Sequence, residues 1–308
     1  MMSSLFDPYN PINYKTFNFP KLRRFRYNRE LATIDKSQKN EFCERWEQMI
    51  CQLNYNFSKL LTRHTDLHLN PRCKIVKSKW VASSYHCSDI TILDGIHEET
   101  GEEVNYKIAK DSIMDRHQSK YMPYKKTYQY NDIKYYVCQS SIYKLKDIHI
   151  FRITAGGHYT IGIYYKKENR FEYFDSGGFS EDLPDLIYDM DCNPHFFLKK
   201  RLCGAFLKKN NKKNFYDYLD NEYDNVLCQY ISDIFPNVEI IPLKLKNLQM
   251  NKEDVYCQSW VLLYLYLRFI SPKLNTRDCL AFLNDLSEEE AYNLVISWWK
   301  YIIYLDIN

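Results

Sequence analysis

Residues 147–178 read DIHIFRITAGGHYTIGIYYKKENRFEYFDSGG, and their pattern decides the fold class. Asp147–Ala155, His158–Tyr165 and Arg170–Phe174 are short runs rich in β-branched and aromatic residues. Such side chains suit a pleated, half-buried backbone. The runs are broken at Gly156-Gly157 and Lys166–Asn169, where the residue types favour turns. Three consecutive strands follow, the last two forming a hairpin.

Outward from this core, Lys134–Gln139 upstream and Asn237–Leu243 downstream read as further strands. Residues 182–235 look mainly helical. Three helices close the chain, at about 257–270, 276–285 and 288–304. The last opens with a capping box, Ser287 to Glu290, and carries Leu294, Val295, Trp298, Ile302 and Leu305 on one face. Near the start, Phe42, Trp46, Met49, Ile50, Leu53, Phe57, Leu60 and Leu61 recur at helical spacing. Residues 1–38 read as an extended arm, and 62–130 show no dependable period. Strands flanked by blocks of helices predict an α+β domain with a central, mostly antiparallel sheet. The expected organisation is an N-terminal arm and helical accessory region over 1–130, then a domain over 131–308 that carries the chemistry.

Composition narrows the class. The chain has 308 residues with 45% hydrophobic and 26% charged, enough to bury a proper core. A formal net charge of +3 argues neither for nor against nucleic acid, because binding needs a clustered basic face. The cluster Lys21–Arg26 is the one candidate, and a solvated face is the simpler reading. Ten cysteines are scattered with no CxxC pair, and Met1–Pro8 lacks the marks of a signal peptide. The longest apolar run, Trp260–Leu267, is far short of a membrane span. The expectation is a soluble chain in a reducing, cytoplasmic setting, with no membrane partner.

Three segments carry chemistry when taken together. GGHYTIGIYY puts His158 at the start of a strand, and RFEYFDSGG puts Asp175 at the end of the next. LQMNKEDVYCQSWVLLYLYL puts Cys257 at the start of an apolar helix. A cysteine attacks as thiolate, which the positive end of a helix favours. An imidazole takes the thiol proton, and a carboxylate on a neighbouring strand fixes the imidazole tautomer. Cys257 is therefore the candidate nucleophile, His158 its base and Asp175 the orienting acid. An amide side chain shortly before the nucleophile can hold an oxyanion, and Gln249 is the candidate, with Asn247 and Gln258 as weaker ones. Tyr159 is either packing or part of a narrow substrate groove.

Bland readings stand beside these. Most cysteines in such a chain are buried small hydrophobes. His158 satisfied by backbone, and Asp175 as a turn former before Ser176-Gly177-Gly178, would leave no active site. His64 and His68 have helical spacing but lack the glutamate of a zincin motif. Cys73, His86, Cys87 and His97 match no common zinc pattern, so no metal and no other cofactor is implied.

The order His-aromatic, aromatic-Asp-Ser, Gln, then Asp-x-x-Cys opening a helix resembles the SUMO-protease/adenain superfamily. His158-Tyr159, Phe174-Asp175-Ser176 and Cys257 match its motifs, over roughly residues 130–270. The YCQSWVLLYL stretch is most similar to the versions in large DNA viruses, the core-protein proteases of poxviruses and asfarviruses. Asp254 stands three residues before Cys257, where SUMO proteases carry Asp immediately before it, and Gln258 replaces their Gly. The resemblance implies a papain-like cysteine protease fold and cleavage at Gly-Gly-type sites. It also implies a protein partner as substrate, either a viral structural polyprotein or a ubiquitin-like conjugate. For a viral enzyme, the implied setting is host cytoplasm and virion. Two other classes stay open, a YopJ-like acyltransferase and a catalytically inactive binding or scaffold module.

Overall fold

The structure, a computed structural model, describes residues 6–9, 52–69, 74–76, 79–81, 88–94, 124–130, 133–139, 146–155, 158–178, 222–251, 254 and 256–305. Several expectations lie outside the described residues. They are the arm from residue 10 onward, the Lys21–Arg26 cluster, the helix before residue 52 and the helical reading of 182–221. Gly156-Gly157, Cys73, His86, Cys87 and His97 lie outside them too. In chain order the elements are α1 (52–64), β1 (Lys74–Val76), β2 (Lys79–Val81), β3 (Ile90–Asp94), β4 (Tyr124–Tyr130) and β5 (Ile133–Gln139). They continue with β6 (Ile148–Ala155), β7 (His158–Tyr165), β8 (Arg170–Phe174), α2 (Glu222–Ile234) and β9 (Glu239–Pro242). The last three are α3 (Cys257–Phe269), α4 (Thr276–Asp285) and α5 (Glu288–Ile303). This is a mixed α+β chain. It divides into two compact units, one of residues 1–87 with 249–308 and the other of residues 88–248. The expected boundary at residue 130 falls inside the second.

The 88–248 unit is built on a seven-stranded sheet in the order β4-β5-β3-β6-β7-β8-β9. Only the β3–β6 and β8–β9 pairs are parallel, so the sheet is mostly antiparallel. β7 and β8 form the expected hairpin, with Asn169 at φ +48° in its turn. Asparagine tolerates that left-handed backbone better than most residues. Within the hairpin Gly162 leaves room for the Phe171 ring, which an added Cβ would strike. β6 and β7 are buried along nearly their whole length rather than alternating, so both of their faces are covered. Helix α2 covers one face: Val226, Leu227, Tyr230 and Ile231 join Phe151, Ile153 and Phe171 in one apolar cluster. Phe235, just past α2, stacks on Tyr164 at 3.9 Å between ring centroids. Because α2 lies between them in sequence, β8 and β9 are joined by a helical crossover, as a parallel pair requires.

Strands β1, β2, β3 and β4 fall in the 62–130 stretch where no period could be read. Their shortness explains this for the first three, since three to five residues hold too few alternations to count. β4 (YKKTYQY) is an edge strand of polar and aromatic residues, so it has no apolar alternation to show.

The other unit centres on α3. Its residues from Ser259 to Leu267 are all buried, so the helix is apolar all round rather than striped. Four of them are leucines, and each such burial stabilises by on the order of 1.5–3 kcal/mol. Trp298 of α5 is enclosed by Phe6, Phe57, Tyr266 and Tyr301. α5 begins at the expected capping box, in which Ser287 Oγ accepts the Glu290 amide and Glu290 Oε2 accepts the Ser287 amide. Its other end is closed by α1: Asn56 Nδ2 donates to the carbonyls of Ile302 at 2.7 Å and Ile303 at 3.2 Å. Last-turn carbonyls lack the usual partner one turn on, and that of Ile302 also accepts the Leu305 amide at 3.3 Å. Among the described residues no helix is long and apolar enough to cross a membrane.

Candidate active site

His158 opens β7 and Asp175 follows the last residue of β8, so the hairpin sets their separation. His158 Nε2 lies 2.7 Å from Asp175 Oδ1. The same oxygen accepts the amide of Gly177 at 2.7 Å, an Asx turn that holds the carboxylate from its own side of the contact. Asp175 is 2% exposed, whereas the His158 side chain keeps 18% of its surface. An ionised carboxylate can only accept, so in this pair Nε2 is the donor. An imidazole held through Nε2 in this way can act as a base through Nδ1.

The turn after Asp175 is held from beneath. Gly178 donates to the Asp175 carbonyl at 3.1 Å, and Leu248 donates to the Ser176 carbonyl at 2.9 Å. Gly178 has φ +91°, and a Cβ there would run into the backbone of Lys246 and Asn247. Only glycine meets both conditions. The DSGG sequence therefore has a division of labour: Asp175 faces the histidine, while Gly177 and Gly178 shape its support.

Tyr159, the groove candidate, is 1% exposed within β7 and paired across to Thr154. Asn247 is buried in the segment against Gly178.

Cys257 and Gln249 belong to the other compact unit. Cys257 is the first residue of α3 and is half-buried. Tyr256 before it gives no side-chain cap, and the first turn holds no acidic residue, so the positive end of the helix is left uncompensated by its own turn. Cys228 and Cys279 are fully buried, and burial raises both thiols well above their ordinary range, Cys279 to about 12. Gln258 accepts a long 3.4 Å bond from Asn54 Nδ2. Gln249 is buried and spends one amide N–H on the carbonyl of Asp254, at 3.2 Å.

Asp254, close before Cys257, is a residue to which sequence reading gave no role. It is completely buried, and its Oδ1 accepts the Tyr256 amide at 2.9 Å while Oδ2 accepts the Trp260 indole N–H at 2.9 Å. Burial pushes its carboxyl up to about 6, against the hydrogen bonds from Trp260, Tyr256 and Gln249 that favour ionisation. The signal was present in the sequence as DVYCQSW: a buried indole N–H needs an acceptor, and the aspartate six residues earlier is within reach.

No protein-family model, curated protein or solved structure matches the chain. The functional reading therefore rests on these residues.

Proposed function

We propose that the chain is a cysteine endopeptidase working through Cys257, His158 and Asp175. The observation that carries the reading is the 2.7 Å bond from His158 Nε2 to Asp175 Oδ1, which leaves Nδ1 as the basic edge of a partly exposed imidazole. The half-buried thiol at an uncapped helix start supports the nucleophile assignment. In the first step Nδ1 takes the thiol proton, and Cys257 Sγ bonds to the scissile carbonyl carbon. The oxyanion is held by the Cys257 amide and Gln249. Its collapse breaks the C–N bond, and His158 returns the proton to the leaving amine. Water, deprotonated by the same histidine, then cleaves the thioester to a carboxylic acid and frees the thiol.

The papain-like fold of the SUMO-protease/adenain type belongs to the same proposal. A mostly antiparallel sheet and the chain order His, Asp, Gln, Cys are consistent with it. The substrates proposed are Gly-Gly-type sites in a viral structural polyprotein or a ubiquitin-like conjugate, met in a reducing cytoplasm or virion.

The test is turnover of a fluorogenic Gly-Gly-X peptide panel by the full chain beside Cys257→Ala and His158→Ala. Hydrolysis abolished in both variants is the expected result. Cys257 alkylated no faster than a free cysteine, with no hydrolysis, would overturn the reading in favour of a binding module. Acetyl transfer from acetyl-CoA to Ser, Thr or Lys without hydrolysis would overturn it in favour of an acyltransferase.

A further inference from the structure

A carboxylate with no exposed surface is costly, and among the described residues no cation is bonded to Asp254 to offset that cost. Among the described residues every group bonded to it is neutral: the Trp260 indole, the Tyr256 amide and, at its carbonyl, the Gln249 amide. A fold needing only stability at this position would do better with an apolar side chain. The bonds instead converge on one short stretch of chain. Asp254 donates its own amide to the Asn251 carbonyl at 2.9 Å, and Trp260 donates its amide to the Tyr256 carbonyl at 3.0 Å. Cys257 lies between the two residues tied to the carboxylate: Tyr256 just before it, and Trp260 one helical turn after it. Trp260 is itself fixed, with 0% of its surface exposed.

We propose that Asp254 is the positioning residue of the nucleophile: its carboxylate ties the chain before Cys257 to the first turn of α3 and so fixes where the thiol stands. The same residue's carbonyl holds Gln249, so the thiol and the oxyanion donor are registered to one another through Asp254. This inference rests on the protease reading of Cys257. Asp254 touches no reacting atom and acts only through its neighbours. An Asn in its place keeps the size but presents at most one acceptor to two donors, and Trp260→Phe removes the indole donor while leaving an aromatic ring in the core.

The experiment follows two readouts on the full chain, for wild type, Asp254→Asn and Trp260→Phe, each checked for intact fold by circular dichroism. The first is the rate of iodoacetamide alkylation at Cys257, mapped by mass spectrometry, with His158→Ala alongside. Both variants should slow Cys257 by about 10- to 100-fold, the scale set by a small misplacement of a reacting group. The second is the ¹⁵N–¹H indole resonance of Trp260 against pH. It should titrate near pH 6 in wild type and lose that titration in Asp254→Asn, which a packing role alone would not produce. An activated Cys257 that is indifferent to both folded variants would sink the positioning role and leave the triad standing. A wild-type Cys257 that reacts like a free cysteine and ignores His158→Ala would sink the triad, and the role of Asp254 with it.

Discussion

His158 and Asp175 meet through Nε2 and Oδ1 at 2.7 Å, and that same oxygen accepts the Gly177 amide. One atom therefore both anchors the turn and orients the imidazole. Asp175→Ala removes both bonds and frees the histidine ring to rotate. On the proposed mechanism it lowers kcat/KM on the cleavable peptide by about 10²–10⁴-fold, the range a positioned acid–base group supplies. Asp175→Asn keeps an oxygen that can accept both bonds but loses the charge that stabilises the imidazolium. Its loss should fall between wild type and Asp175→Ala. Steady-state kinetics of the two variants check the order, and equal losses would show that charge rather than orientation dominates.

Gly178 predicts a stability effect at the same turn. With φ +91° and the backbone of Lys246 and Asn247 where a Cβ would go, Gly178→Ala suffers both backbone strain and a clash that no rotamer relieves. The cost expected is about 1–3 kcal/mol. Thermal unfolding followed by circular dichroism should show Tm lowered by roughly 2–10 °C. An unchanged Tm would mean that the 246–248 segment yields freely, contrary to its bond between Leu248 N and Ser176 O.

The three cysteines whose environments are described should separate cleanly by reactivity. Cys279, with its thiol held at about 12 by burial, is thiolate in roughly one molecule in ten thousand at pH 8. Cys228 is pushed up for the same reason, with the nearby Asp224 carboxylate adding to the rise. Alkylation of the native protein should label Cys257 first. Cys228 and Cys279 should appear only once denaturant is added, as read by peptide mapping. Early labelling of either buried thiol would show local opening of the helix that carries it.

How much of this was legible in the sequence follows physical lines. β7, β8 and α4 keep the bounds their patterns predicted, and α3 and α5 end within a residue of them: a hairpin turn joins β7 to β8, Asn275 and Ser287 cap α4 and α5, and the unbroken apolar run marks α3. The His158–Asp175 contact was legible for a related reason: a hairpin brings the start of one strand beside the end of the next. β3 and β4 were not legible, since their stability comes from pairing with β5 and β6, which no local pattern encodes. Asp254 escaped because a charged residue in a polar stretch reads as solvated. The indole of Trp260, six residues on, was the one hint in the sequence of an interior acceptor.

The burial of Asp254 makes a last prediction, about pH. The folded carboxyl of Asp254 sits at about 6, above its ordinary value of 3.8, because burial penalises the charge. The sign follows from proton counting. Between those values the folded state holds the proton and the unfolded state does not, so stability falls as pH rises. The contribution is fully present below about pH 4 and lost once pH passes about 6. A rise of that size corresponds to roughly 3 kcal/mol at most. Carboxylates paired with a cation act the other way: Asp233, whose carboxyl is lowered by hydrogen bonds from Lys126 and Tyr128, gains stability as pH rises. The clean observable is therefore a difference. Urea unfolding of wild type and Asp254→Asn at pH 4, 5, 6 and 7 should show the wild type losing ground to the variant across the series, with the change complete by pH 7. A gap that stays constant with pH would mean that Asp254 keeps an ordinary carboxyl in the folded chain.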